Sequence, residues 1–295
     1  MRIGVVFPQT ELGGDVGAVR AYGEAVEALG YTHLLAYDHV VGADPAVHTG
    51  WAGAYDVSTT FHEPFVMFGY LAAVTSLELV TGIIILPQRQ TALVAKQAAE
   101  VDLLTGGRFR LGVGLGWNPV EYEALGQPFD ERGRRMTEQI EVLRRLWTET
   151  SITFTGTYDT ITGAGIAPVP IQRPIPIWIG GVSEPAYRRI GRLADGWFPR
   201  IHPDEKLQRA LEIIGAAARE AGRDAGSIGM EPRVTWTPTD PDRFAKQVED
   251  WRRVGATHLG VDTMSTGQKT VDDHINTLQR AADLIGVSRV RNQTG

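Results

Sequence analysis

The sequence predicts an α/β chain folded as a (β/α)8 TIM barrel, and three observations predict it. Short apolar runs alternate with amphipathic helical stretches, eight such runs fit within 295 residues, and no long linker divides them. The runs are rich in Val and Ile and continuous rather than alternating, as parallel strands buried on both faces are. The rival is an open doubly wound sheet. Against it, the first strand-to-helix turn, PQTELGGDVG, lacks the tight glycine spacing of a dinucleotide fingerprint. The whole chain, 1–295, is expected to form one domain, with insertions after strand 2 and before strand 5.

In chain order, strands are expected at 3–7, 33–37, 79–86, 109–113, 176–179, 196–198, 228–234 and 257–261. Helices are expected near 15–29, 62–76, 91–105, 131–149, 184–194, 204–221, 242–254 and 271–285. Gly30, Gly106-Gly107, Gly222 and Gly255 stand where helices end, and Asp240 or Asp242 beside Pro241 marks a start. Residues 40–61 form a long excursion after the second strand, where barrel sites lie, so a lid or rim role is expected for them. Residues 151–175 read as a Thr/Gly-rich segment carrying a hairpin, able to fold over the rim or pack in an oligomer.

Composition narrows the function classes. Apolar residues make up 43% and charged residues 22%, ordinary values for a globular protein. The net charge of −6 is spread along the chain with no basic tract, so no nucleic-acid partner is expected. The longest apolar run, around 80–86, is strand-sized, so no membrane partner is expected either. A strand pattern begins at Ile3 with no basic or apolar leader before it, and a cytoplasmic location is the simplest expectation. Cysteine is absent, which excludes disulfides, thiolate nucleophiles and Cys-ligated metal centres. The 7 histidines are scattered, with no H-E-x-x-H spacing, and neither a G-x-S-x-G elbow nor a P-loop occurs. No metal site is expected.

The most informative stretch is FRLGVGLGWNPVEYEALG, residues 109–126. Glycines at a strand end, Gly116 among them, let backbone approach a ligand, and Trp117 and Asn118 could cover and hydrogen-bond a flat heteroaromatic ring. The plain alternative is a glycine-rich turn closed by a core Trp. Asp38-His39 follows the second strand; His39 could move a proton at a substrate, and Asp38 could orient it or merely cap. Gly82, in GIIIL, marks either a bulge or a close approach to a ligand, and Gln88, Arg89 and Gln90 follow on the same rim. In RPIPIWIGG, Gly180 and Gly181 lead through Val182 and Ser183 into a helix, a phosphate site or a simple cap; Glu184 should point away from it. Trp197, Arg200 and His202 beyond the sixth strand, and Arg233 and Trp236 beyond the seventh, are rim candidates for substrate or phosphate. Val40, Val41, Trp51 and Tyr55 in the first insertion suggest a hydrophobic or aromatic substrate.

Taken together, YDH at 37–39, TGIIILP at 81–87, LTGGRFRLGVGLGWNPVEYEALG at 104–126, and RPIPIWIGG with GRLADGWFP through 199 resemble the bacterial luciferase-like flavin or deazaflavin oxidoreductases. The GWN…E…EALG form is most similar to the branch using coenzyme F420, with FMN as the alternative cofactor. The resemblance implies hydride transfer between F420 and a small organic substrate, or, with FMN, a monooxygenase using O2. A cofactor-binding barrel without turnover is the third reading. It also implies a non-proline cis bond at Gly82–Ile83, or one residue later, propping the cofactor ring. His39 matches the active-site histidine and Asp38 its neighbour. Trp117 and Asn118 match the cofactor-lining loop, and Gly180, Gly181, Val182 and Ser183 the phosphate anchor. Where some sugar-phosphate dehydrogenases of the family carry a proton-donating Glu, this chain has Trp117, with Glu121 a turn further on, which argues against a sugar phosphate. A homodimer is a common family state.

Overall fold

The computed structural model describes residues 1–287; residues 288–295 of the expected single domain lie outside the described residues. The chain opens with β1 (Arg2–Val6), buried from its second residue onward. A short helix, α1 (Gln9–Leu12), precedes α2 (Val16–Ala28), which starts where the Asp15 side chain accepts the Ala18 N–H. β2 (His33–Ala36) returns parallel to β1. The unit recurs as α3 (Pro64–Ala72), β3 (Glu78–Thr81) and the two-residue β4 (Ile84–Ile85), then α4 (Thr91–Leu104) and β5 (Phe109–Gly114). Two helices follow, α5 (Pro119–Ala124) and α6 (Arg132–Thr148). The antiparallel pair β6 (Ile152–Thr155) and β7 (Thr160–Ala164) then interrupts the alternation. It resumes with β8 (Ile177–Gly180), α7 (Glu184–Leu193), β9 (Gly196–Phe198) and α8 (Glu205–Glu220). The described chain ends with β10 (Gly229–Met230), β11 (Arg233–Thr235), α9 (Pro241–Arg253), β12 (His258–Asp262) and α10 (Val271–Ile285).

The result is an α/β fold around a curled parallel sheet ordered β10-β9-β8-β5-β3-β2-β1-β12-β11, with β4 beside β5. The two ends of that order lie only two residues apart in the chain. The Glu231 N–H donates to Trp197 O at 2.9 Å, and the Gly260 N–H to Pro232 O at 3.0 Å, so pairing carries on across the gap. The run expected as one strand over 228–234 is thus two: Pro232 has no N–H to give the ladder, and the Glu231 side chain is drawn to His33 and Arg110.

The run over 79–86 is also broken. The Gly82 N–H bonds Ala36 O at 2.7 Å, the Ile85 N–H bonds Asp38 Oδ2 at 3.1 Å, and Ile83 is left bulging between β3 and β4. Ile83 packs on Leu35, Val80, Trp178 and Phe198, the cluster inside the curl. Most of the remaining apolar side chains form a larger core between sheet and helices. Strand periodicity decides which residue belongs to which: Leu34 faces the helices and Leu35 the inside. Gly30 and Gly255 end α2 and α9 at φ 92° and 87°, as helix-terminal glycines do.

The 40–61 excursion has no helix or strand, yet holds its own contacts: the Trp51 indole donates to Tyr55 O at 3.0 Å and the Val57 N–H to Ala43 O at 3.0 Å. The β6–β7 hairpin is tied to the helices at its turn: Glu138 of α6 accepts the N–H groups of Thr157, Tyr158 and Asp159, each at 2.8 Å.

Candidate active site

A cavity of about 580 Å³ opens where the strands end at their carboxyl side. Leu35, Ile83, Ile85 and Phe198 give it an apolar floor. Gly82, Gly114, Gly116, Gly180 and Gly181 form its backbone edge. Two of these glycines have no substitute: a Cβ on Gly116, at φ +65°, would come 2.8 Å from Ile85, and one on Gly181 would come 2.6 Å from Ala186.

His39, carried just past β2, lines this cavity and is 12% exposed. Its Nδ1 lies 3.2 Å from Oε2 of Glu121, a fully buried carboxylate in the first turn of α5. The other oxygen of Glu121 accepts the Val40 N–H. Burial pushes the Glu121 carboxyl up, but the hydrogen bonds from His39 and Val40 outweigh it and hold the group below its ordinary value. Paired with an ionised carboxylate, His39 keeps a proton on Nδ1 and leaves Nε2 for the cavity. Phe61, Tyr55 and Trp117 surround the imidazole, with ring centroids 4.8, 5.3 and 5.7 Å away.

Asp38 does not orient His39. It is buried, with Oδ1 2.8 Å from the Arg89 guanidinium and Oδ2 on the Ile85 N–H. Burial pushes its carboxyl up against the pull of Arg89. Asp38 thus fixes the break between β3 and β4, the bend that presents Ile83. That bend needs no cis bond at Gly82–Ile83: the cis peptide bonds among the described residues are Ala167–Pro168 and Arg173–Pro174, and two hydrogen bonds plus a glycine carry the turn.

Across the cavity, Gly180, Gly181, Val182 and Ser183 lead into α7. Ser183 stands at the N-cap but its hydroxyl makes no capping bond, so it is open to a ligand. Glu184 points away and pairs with Arg188 at 2.7 Å. Arg189, one turn into α7 and 8% exposed, also lines the cavity. It donates from Nε to Thr137 and from Nη2 to Gly133 O, both at 2.9 Å, and has no carboxylate partner among the described residues. Helix-end N–H groups beside such a guanidinium make an anion cradle.

Five expected site residues lie off the cavity wall, among them His202, which is exposed, and Trp236, which is buried in the core between sheet and helices. Trp197 is 1% exposed and its indole donates to Gly181 O at 3.0 Å under the helices; strand alternation turns its neighbour Phe198 inward instead. Asn118 is 2% exposed and caps α5, accepting the Val120 N–H at 3.0 Å, and it borders a separate small cavity beside His39. Trp51 stands behind the wall and packs on Trp117 at 5.7 Å, leaving Gly53 and Tyr55 to line it. Trp117, His39 and Arg200 do reach the cavity, as does Arg233. Sequence patterns missed Arg189, Phe198 and the part played by Glu121. The available signal for Glu121 was its place three residues after a capping Asn, where an acid usually turns back to the helix start; here it turns to His39.

Residues 1–254 match the family model described as luciferase-like monooxygenase. An uncharacterized protein of Mycobacterium tuberculosis is 40% identical over 164 residues, 55% of this chain and 56% of that protein. An FMNH(2)-dependent dimethylsulfone monooxygenase of Pseudomonas putida is 34% identical over 183 residues, 61% of this chain and 50% of that enzyme. The chain thus spans about half the length of the curated relatives it matches. In three dimensions an F420-dependent secondary alcohol dehydrogenase, solved with an F420-acetone adduct, aligns over 96% of this chain and 98% of its own at a TM-score of 0.78 and 17% identity. That likeness concerns the fold; the match over 1–254 assigns the lineage, and the chain belongs to the luciferase-like monooxygenase family.

Proposed function

We propose that this protein is a coenzyme F420-dependent oxidoreductase that exchanges a hydride with a small, largely apolar organic substrate, while His39 moves the accompanying proton. Residues 1–295 act as one unit, a (β/α)8 barrel with insertions after strand 2 and before strand 5. The observation that carries this reading is the His39–Glu121 pair, aimed across a cavity whose far wall is the anion cradle at 180–183.

Three features fit a phosphate-bearing tricyclic cofactor. The volume of about 580 Å³ lies within the usual range for such sites. The glycine edge puts bare backbone on the cavity wall that a flat ring would approach. Arg189, without a carboxylate partner among the described residues, stands at the cradle that would take the phosphate. When bound, F420 supplies a two-electron hydride carrier. The chain's own residues do the rest. Ile83 and Trp117 would hold the ring, Gly180 to Ser183 would anchor the phosphate, and Asp38 acts as a positioning residue through Arg89 and Ile85. His39 Nε2 takes or gives a proton at the substrate, and Glu121 steadies the charge that appears on the imidazole. The aromatic rings around His39 exclude water from that transfer.

The FMN-dependent monooxygenase reading is favoured by the 34% identity to an FMNH(2)-dependent enzyme and by the family model's description as luciferase-like monooxygenase. Absorbance titration of the purified protein with F420 and with FMN separates the two. The expected result is tighter binding of F420; binding of FMN with no affinity for F420 would reverse the assignment.

A further inference from the structure

The chain carries a net charge of −6, yet the free charges on its cavity wall are positive. Both acids on that wall are committed to cations: Asp38 to Arg89 at 2.8 Å, and Glu231 to Arg110 at 2.7 Å and His33 at 2.6 Å. Its three arginines are Arg189, Arg200 and Arg233. Arg189 belongs to the cradle at 180–183. Arg200 and Arg233 come from the loop after β9 and from β11, and neither is part of that cradle. Arg200 has no hydrogen-bond or ion-pair partner among the described residues. Arg233 is braced from behind: Nη1 bonds the Tyr37 hydroxyl, Nε lies 3.5 Å from Asp262, and Nη2 has no partner among the described residues. Both guanidiniums line the cavity together with Tyr55, whose phenol is pushed up by burial, Asp262 and Glu11 and pulled down by Arg233 and Arg200. A braced arginine with a free corner, sharing a cavity wall with an exposed and unpaired one, can receive an anion.

We propose that the substrate is a small organic acid, its anionic group held by Arg200 and Arg233 and its apolar body lying against Tyr55 and Trp117. This deepens the proposed function and rests on it in one respect, that the cradle at 180–183 is taken by the cofactor. It also restricts the apolar substrate to one that bears an acid group.

The test titrates the cofactor-free protein with benzoate, benzenesulfonate and neutral benzamide, following Trp fluorescence, and repeats this for Arg200→Ala and Arg233→Met. The expected result is that the acids bind at least about tenfold more tightly than benzamide, and that either substitution removes the difference without altering benzamide binding. Added salt should weaken the acids selectively. Equal binding of acids and benzamide, or acids bound as well by the variants, overturns the proposal. So does a loss of F420 or FMN affinity in variants that keep the acids, because the guanidiniums then serve the cofactor. Should Arg233→Met fail to fold, because it leaves Asp262 buried and unpaired, Arg200→Ala decides alone: Arg200 is exposed and has nothing to lose. If neither cofactor binds the wild type while the acids behave as expected, the cofactor assignment falls and the anion site stands.

Discussion

Glu121 sets which nitrogen of His39 carries the proton, so the two residues should fail differently. His39→Ala removes the proton carrier, and turnover should fall by roughly 10²–10⁴ with cofactor affinity unchanged. Glu121→Gln keeps an acceptor for the Val40 N–H but offers His39 an amide that no longer dictates the tautomer. The expected outcome is a kcat loss on the order of 10²-fold with KM little changed, partly restored in Glu121→Asp. A KM effect without a kcat effect would make Glu121 a packing residue. At this scale the site was half legible in the sequence. His39, Trp117 and the glycines that line the candidate cavity could be named from the sequence because a strand end followed by glycine has a local signature. Glu121, Arg189 and Phe198 were not, because each depends on which way a helix or strand turns its side chains. Trp197 and Phe198 are adjacent and both aromatic, and only the strand's register says which one faces the cavity.

Elements are held where they are by single side chains that satisfy several backbone groups at once. The hairpin β6–β7 is the clearest case. Glu138 accepts three N–H groups at its turn, Thr91 donates to Asp159 at 2.7 Å, and Gly156 leaves the space that the Glu138 carboxylate fills. Glu138→Ala should therefore free that turn. Amide exchange at 157–159 should rise sharply and stability should fall by about 0.5–1.5 kcal/mol, because water takes over the donors of this partly exposed turn. Protection unchanged in the variant would mean that the strands alone hold the turn. Helix and strand positions were largely readable, since the cap at Asp240 and the terminal glycines lie in the sequence itself. The bulge offered as one reading of Gly82 is present between β3 and β4, whereas the break at 231–232 was not readable. Each is caused by a partner far along the chain, Asp38 for the first and His33 with Arg110 for the second.

Across the whole molecule, one buried charge network ties the curl together from inside. Glu231 lies between β10 and β11, bonds His33 of β2 and Arg110 of β5, and Arg110 reaches Glu78 of β3 at 2.7 Å and stacks on Trp178 at 4.4 Å. Burial pushes the Glu231 carboxyl up, but Arg110 and His33 overcome it and hold the group far below its ordinary value. His258 packs against the same cluster, and burial with the charge of Arg110 pulls it down to about 3. Both shifts act in one direction. A depressed carboxylate stabilises the fold above its unfolded value of about 4.3, and that stability drains away as pH falls below it. A depressed histidine is neutral in the fold, so unfolding takes up a proton at any pH between about 3 and the unfolded value of about 6.5, and stability again falls with pH. Melting temperature should thus decline from about pH 6.5 downward and more steeply below about 4.3, by less than the network alone would give because burial raises the Asp38 and Asp262 carboxyls, which act the other way. His258→Gln should flatten the upper part of that slope and leave the lower part in place. Glu231→Gln should melt lower at pH 7, by the equivalent of about 3–5 kcal/mol, because Arg110 loses its buried partner. In that variant the steep limb below about pH 4.3 should be shallower. A wild-type melting temperature constant from pH 6.5 to 4 would mean that the network's charges are not what closes Glu231 against β2 and β5.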